Sequence, residues 1–307
     1  MCIRDRQYLD DHIILRTGMI EGIRYPNVAT HIGQFLARTL FGTSVLGMAS
    51  ESRRELMEQF VMNSELCRLT EDFIFTFPYM THDSNYSNPT TEAWADENLR
   101  VNSDYKLDIL QFKNVFMTKA DALIHADLHT GSLMVNQDES YVIDMEFAYF
   151  GPLGFDIGKI ISNFLLCATA HGRRSADETY REWLLAQIPV IWDTFASEFL
   201  ELWSESDGGA MTIDGLLSAE ELESMRSRFM ADLLTETIGF AACSMARRTL
   251  GIAGVADIRD IEDVEVRARL EIANLQLSML LMEKRHELTT IDALSDLAKR
   301  FYTDEQI

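Results

Sequence analysis

The sequence predicts a predominantly α-helical α+β body with one small β-hairpin at its centre. Three observations carry that expectation. Apolar residues recur at helical spacing through most of the 307 residues, above all beyond Gly154. One stretch, "SLMVNQDESYVIDM", breaks the pattern with two short apolar runs around a polar turn, as a hairpin does. A hydrophobic share of 47% supplies a substantial core, while charged residues stay at an ordinary 25%.

Taken in order, "HIILRTGMIEGIRYP" reads as a short extended piece with glycine turns at Gly18 and Gly22. Pro26 then opens a helix with Val28, Ile32, Phe35, Leu36 and Leu40 on one face. A second helix is expected from about 50 to 66. The Asn-, Ser-, Thr- and Pro-rich stretch 81–94 reads as a loop, followed by helix to about 120. After the hairpin, helices are expected over 155–171, 177–203, 218–250, 262–286 and 290–302. Trp183, Trp192 and Trp203 fall near helical spacing and read as core. The run "EDVEVRARLE", 262–271, reads as a solvated helix face with i,i+4 ion pairs.

Charge and cysteine usage narrow the function. A net charge of −22 argues against nucleic acid or an anionic membrane as partner, since both want a basic face. Cysteines at 2, 67, 167 and 243 are far apart and read as reduced thiols. No apolar run is read as a membrane span and the N-terminus is too charged for a secretory signal, so a cytoplasmic location is expected.

The chemistry concentrates in "ALIHADLHTGSLMVNQDESYVIDMEFAYFGPLGFDIG", 122 to 158. Carboxylates lodged among Leu, Ile and Phe are costly unless paired or metal-bound. Asp127 falls on the loop entering the hairpin, Asp144 and Glu146 at its exit. In a strand-like run residues 144 and 146 point the same way. With Asp127 they would make a hard-oxygen site suited to Mg²⁺, to which Ser132 could add a hydroxyl. Phosphoryl transfer needs such a set: one carboxylate for the attacking hydroxyl, others for the metal. The competing reading is a satisfied structural acid cluster or helix N-caps. His125 reads as a packing residue that holds the loop and Asp156 as an anchor for its backbone amides, while His129 has no assigned role. Between Glu236 and Asp257 there is no acidic residue, so Arg247 and Arg248 lack a carboxylate partner on their own helix. They need either a distant carboxylate or a bound anion.

The order H-x-D-x-x-x-x-S, hairpin, D-x-E resembles the catalytic segment of the protein-kinase-like small-molecule kinases, the aminoglycoside-phosphotransferase superfamily. Within it, "HADLHTGS" and "EFAYFGPLGFDIG" are similar to the methylthioribose kinases, as are "HIILRTGMIEGIRYP" and "ARRTLGIAGVADI". The resemblance implies ATP-dependent phosphorylation of the 1-hydroxyl of S-methyl-5-thioribose in methionine salvage. It makes Asp127 the base at the sugar hydroxyl, and Asp144 and Glu146 ligands of Mg²⁺ and the ATP phosphates, with Met145 lining the nucleotide site. In that family the superfamily's asparagine is replaced by serine, as at Ser132, which the resemblance places with the ATP and metal ligands. Arg247 and Arg248 match a pair used near substrate, and Asn85 and Tyr86 fall in a loop like the family's substrate cover. A homodimer is implied too. Ala126 replaces the usual glycine, and its methyl is expected to fit. The resemblance begins near residue 7, with 1–6 outside it. Residues 7–307 are therefore expected to be the kinase C-terminal lobe, with the β-rich N-terminal lobe missing. The rivals are another kinase of this fold (for a sugar, choline or an aminoglycoside) and a non-catalytic interaction module.

Overall fold

The structure, a computed structural model, describes residues 9–305 apart from 62, 86–87, 175–177, 208, 214 and 253. Residues 1–6 and Tyr86 thus lie outside the described residues. Strand β1 (Ile13–Ile14) runs directly into helix α1 (Leu15–Ile20). Gly18 lies inside α1, where a Cβ would overlap the Tyr25 ring, so close packing and not a turn explains it. Gly22, at φ +79°, does turn the chain.

Helix α2 (Val28–Thr43) buries Val28, Ile32, Leu36 and Leu40, with Phe35 half-buried at the edge. The single helix expected next is two, α3 (Ser50–Phe60) and α4 (Ser64–Phe75). Asn63 sits at the break and donates its side-chain amide to the carbonyls of Glu146 at 3.0 Å and Ala148 at 3.1 Å. A tertiary tie therefore interrupts a helical pattern. The loop after α4 ends sooner than composition suggests. Asn88 caps α5 (Pro89–Asn98) by accepting from Thr90 N at 2.9 Å, with Pro89 in the first turn. Helix α6 (Ser103–Thr118) follows.

Two small antiparallel sheets come next. Strand β2 (Ala122–Ile124) pairs with β5 (Tyr149–Gly151). The hairpin β3 (Leu133–Val135) and β4 (Ser140–Val142) takes β1 on its free edge, in the order β1-β3-β4. Asn136 closes the hairpin turn by accepting from the amides of Asp138 and Glu139.

The helical body consists of α7 (Leu153–Arg174), α8 (Glu178–Glu205), α9 (Ala219–Leu250), α10 (Ala256–Arg259), α11 (Val264–Lys284) and α12 (Ile291–Asp304). Its axis is α7, with every residue from 151 to 171 buried. By length and composition, Leu153–Gly172 and α9 could each cross a membrane, which amends the sequence reading of apolar runs. The apolar window of the first is wholly enclosed here and that of α9 two-thirds so, as in core helices. Trp192 and Trp203 are in the core and Trp183 packs at its margin. The solvated-face reading of 262–271 fails at Glu271. That carboxylate is 3% exposed and accepts from Thr91 Oγ1 at 2.5 Å and Asn88 N at 3.3 Å, tying α11 to the start of α5.

Candidate active site

The loop after β2 is built onto the first turn of α7. Asp156, 1% exposed, accepts from the backbone amide of His125 at 2.6 Å and of Ala126 at 2.9 Å. His125 links the same loop to the hairpin exit. Its Nε2 donates to the Ile143 carbonyl at 2.9 Å, and its Nδ1 accepts from Asp127 N at 3.2 Å, which defines the neutral tautomer. Pinned at both ends, the loop forces Ala126 to φ +64°. The expectation that a methyl fits considered only space. Left-handed backbone costs an alanine about 1 kcal/mol more than a glycine. Ala126→Gly should therefore stabilise the protein by about 1 kcal/mol, read as a higher thermal or urea midpoint. A lowered midpoint would mean that the loop does not hold this backbone.

Ser132 is not placed as a metal ligand. It is 1% exposed, and its Oγ accepts from His129 N at 2.9 Å while lying against the carbonyls of Asp127 and His129. With His129 Nδ1 accepting from Gly131 N, it closes a reciprocal cap on the turn 130–132. One of its two lone pairs and its proton are spent on the loop's own backbone, and burial keeps the hydroxyl from solvent.

Asp127 meets a dense set of cations. Its Oδ1 accepts from Lys159 Nζ and lies 3.7 Å from Arg247 Nη1 and 3.6 Å from Arg248 Nη2, while His129 Nε2 is 3.4 Å from Oδ2. Burial would raise its pKa, but Lys159, the His129 hydrogen bond and Arg248 outweigh burial and hold the carboxyl far below its usual range. Burial brings His129 down to about 3 against the pull of Asp127, so its ring is neutral. Burial likewise lowers Lys159 to about 8, with Asp127 opposing.

Two members of this cluster escaped the sequence reading. Lys159 is a lone cation in the apolar run "FDIGKIISNF", where the one nearby acid, Asp156, is committed to backbone amides. That isolation was the available signal. Arg16, from α1, donates to Thr130 Oγ1 at 3.2 Å and Asn163 Oδ1 at 3.4 Å and pairs with Asp257 at 3.7 Å. Nothing local in "IILRTGM" marks it. Among the described side chains, the four cations Arg16, Lys159, Arg247 and Arg248 outnumber the carboxylates nearest them, Asp127, Asp257 and the amide-bound Asp156. A chain of net charge −22 thus keeps a local positive excess around one ionised carboxylate. That combination can orient a hydroxyl and attract an anion.

The second acidic motif departs from expectation. Strand β4 stops at Val142, Asp144 adopts φ +69°, and residues 145–147 form a single 3₁₀ turn. Asp144 and Glu146 therefore do not share a face through strand alternation, and a short polar Asp suits the left-handed position. Both acids and Met145 are exposed. Among the described residues no three His, Cys, Asp or Glu side chains are grouped to hold a metal, so Asp127 does not join them. Asp144 and Glu146 have no cationic partner among the described side chains, and two exposed hard-oxygen donors on one turn fit a divalent cation. An apolar cavity of about 340 Å³, lined by Met57, Val61, Cys67 and Tyr149, also includes Asn63, which bonds this turn; Asp127 and its cations do not line it.

In the loop before α5, Asn85 donates its amide to the carbonyls of Phe77 and Met80, both at 2.8 Å. Beside it Phe77 and His82 stack at 3.7 Å. Asn85 thus holds the shape of its own loop.

The model of the phosphotransferase enzyme family matches residues 24–193, which include the loop, the hairpin and the start of α7. A methylthioribose kinase of Escherichia coli O45:K1 is 38% identical, over 97% of this chain and 73% of that protein. The chain belongs to the methylthioribose kinase family. Other members are similar at comparable distance. The Geobacillus thermodenitrificans kinase is 40% identical over 99% of this chain and 72% of its own length. Methylthioribose kinase 1 of Oryza sativa subsp. japonica is 37% identical over 91% and 67%. Membership in the methylthioribose kinases accords with a protein-kinase-like α+β fold rich in helices, and the α7-centred body is that helical part.

Proposed function

We propose that this protein transfers the γ-phosphoryl group of ATP to the 1-hydroxyl of S-methyl-5-thioribose, with residues 7–307 acting as the helical phosphotransferase lobe. The observation that carries the reading is Asp127: an ionised carboxylate on a pinned loop, inside a local excess of positive charge, in a chain of this family. Held so far below its usual pKa, Asp127 is a weak base. It aligns the attacking hydroxyl and receives its proton late, as a loose phosphoryl-transfer transition state allows. Arg247 and Arg248 offset the charge of the transferring group or fix the sugar. Mg²⁺ bound with ATP supplies further neutralisation at the phosphates, and Asp144 and Glu146 would hold it, with Met145 beside the nucleotide. A cytoplasmic homodimer completes the reading.

The test is ADP release by the full-length gene product with MgATP and methylthioribose, against ribose, choline and an aminoglycoside. Turnover is expected with methylthioribose at a kcat/KM at least 100-fold above the others. A preference for another alcohol would overturn the substrate and leave the phosphotransferase. No turnover with any of them would overturn the catalytic reading.

A further inference from the structure

We propose that Lys159 is the positioning residue for Asp127, and that it assigns the two carboxylate oxygens different tasks. The inference rests on the phosphotransferase reading of Asp127. Lys159 is 1% exposed on the central helix α7, among Phe155, Ile157, Ile160 and Ile161, all buried. A lysine buried there is costly unless its ammonium is paired and hydrogen-bonded. Its own helix offers Asp156, but both Asp156 oxygens are taken by the amides of His125 and Ala126. The ammonium instead donates to Asp127 Oδ1 and to the Ala126 carbonyl at 3.1 Å, and lies 5.3 Å from the Phe155 ring centroid. One side chain thus grips the backbone just before the catalytic carboxylate and one of its oxygens.

The remaining contacts separate the two oxygens. Arg247 and Arg248 approach the same Oδ1 that Lys159 holds. Oδ2 takes a long, weak hydrogen bond from the Nε2–H of the neutral His129 at 3.4 Å and keeps a lone pair for a further donor. Oδ1 is therefore the clamped oxygen, and Oδ2 is the one that accepts from the substrate hydroxyl. Lys159 touches neither substrate nor nucleotide. It acts by holding Asp127 to one rotamer, so its loss shows in kcat and not in nucleotide binding.

The test uses the full-length protein with its alcohol substrate, methylthioribose or whichever alcohol it turns over. Lys159→Met should lower kcat 10- to 100-fold with KM for MgATP within two-fold, and Lys159→Arg should recover much of the loss. The deciding measurement is a double-mutant cycle: in an Asp127→Asn background, Lys159→Met should change kcat by less than two-fold. If Lys159→Met does not fold, Lys159→Gln replaces it in the same cycle. A kcat kept within two-fold in a folded single variant, or an undiminished loss in the Asp127→Asn background, overturns the proposal. Failure of the parent protein to phosphorylate any alcohol overturns the phosphotransferase reading instead, and Lys159 with it.

Discussion

Asp127→Ala is expected to lower kcat by about 10²–10⁴-fold, the range for losing a positioned acid–base group. It should also destabilise the protein by about 3–5 kcal/mol, because the buried Lys159 and Arg248 and the partly buried Arg247 lose their shared carboxylate. Asp127→Asn separates the two effects, since it keeps the volume and one hydrogen-bond acceptor. Acid titration gives a further check. The folded Asp127 has a pKa below its ordinary 3.8, so its stabilisation is complete above that value and fades as pH falls toward the folded one. Thermal midpoints of the parent should therefore decline more steeply below about pH 4 than those of Asp127→Asn. Parallel declines would show that Asp127 is not held by the surrounding cations. A kcat unchanged in Asp127→Ala would remove it from the chemistry.

Asp156→Ala carries the second large effect, and chiefly on stability. It strands the buried amides of His125 and Ala126, at about 1–3 kcal/mol for each unsatisfied group. A loss of about 3–5 kcal/mol in urea unfolding is expected. The catalytic loop also loses the anchor that holds Ala126 at positive φ, so kcat should fall even in the folded fraction. Asp156→Asn retains one acceptor oxygen and should lose about half as much stability. Equal losses in the two variants would mean that a single acceptor oxygen at this position holds neither amide.

Periodicity alone located the long helices because burial of one face imprints a 3.6-residue rhythm on the sequence. Helices α8 and α9 fall within about two residues of their expected bounds and the first hairpin strand within one, while the second strand ends three residues sooner, at Val142. The same logic misjudged places where a single distant contact decides. Asn63 breaks a helical pattern because it binds carbonyls more than 80 residues away. Gly18 looks like a turn until the Tyr25 ring is packed on it. Glu271 looks like a solvated face until Thr91 and Asn88 meet it.

The candidate site divides in the same way. His125, Asp127, Asp156 and the Asp144–Glu146 pair could be read from one continuous segment, since acids among apolar residues advertise a cost that must be met. How each cost is met was not readable. Ser132 bonds its own loop, Asp144 turns left-handed, and Asp127 stays apart from the other two acids. The sequence by itself determined the helical body, the hairpin and the acids at its two ends, because these follow from local spacing and residue chemistry. Only the tertiary structure decided which cations surround Asp127, bringing Arg16, Lys159, Arg247 and Arg248 from three different helices. Electrostatic pairing depends on distance in space, and sequence separation carries almost none of that information.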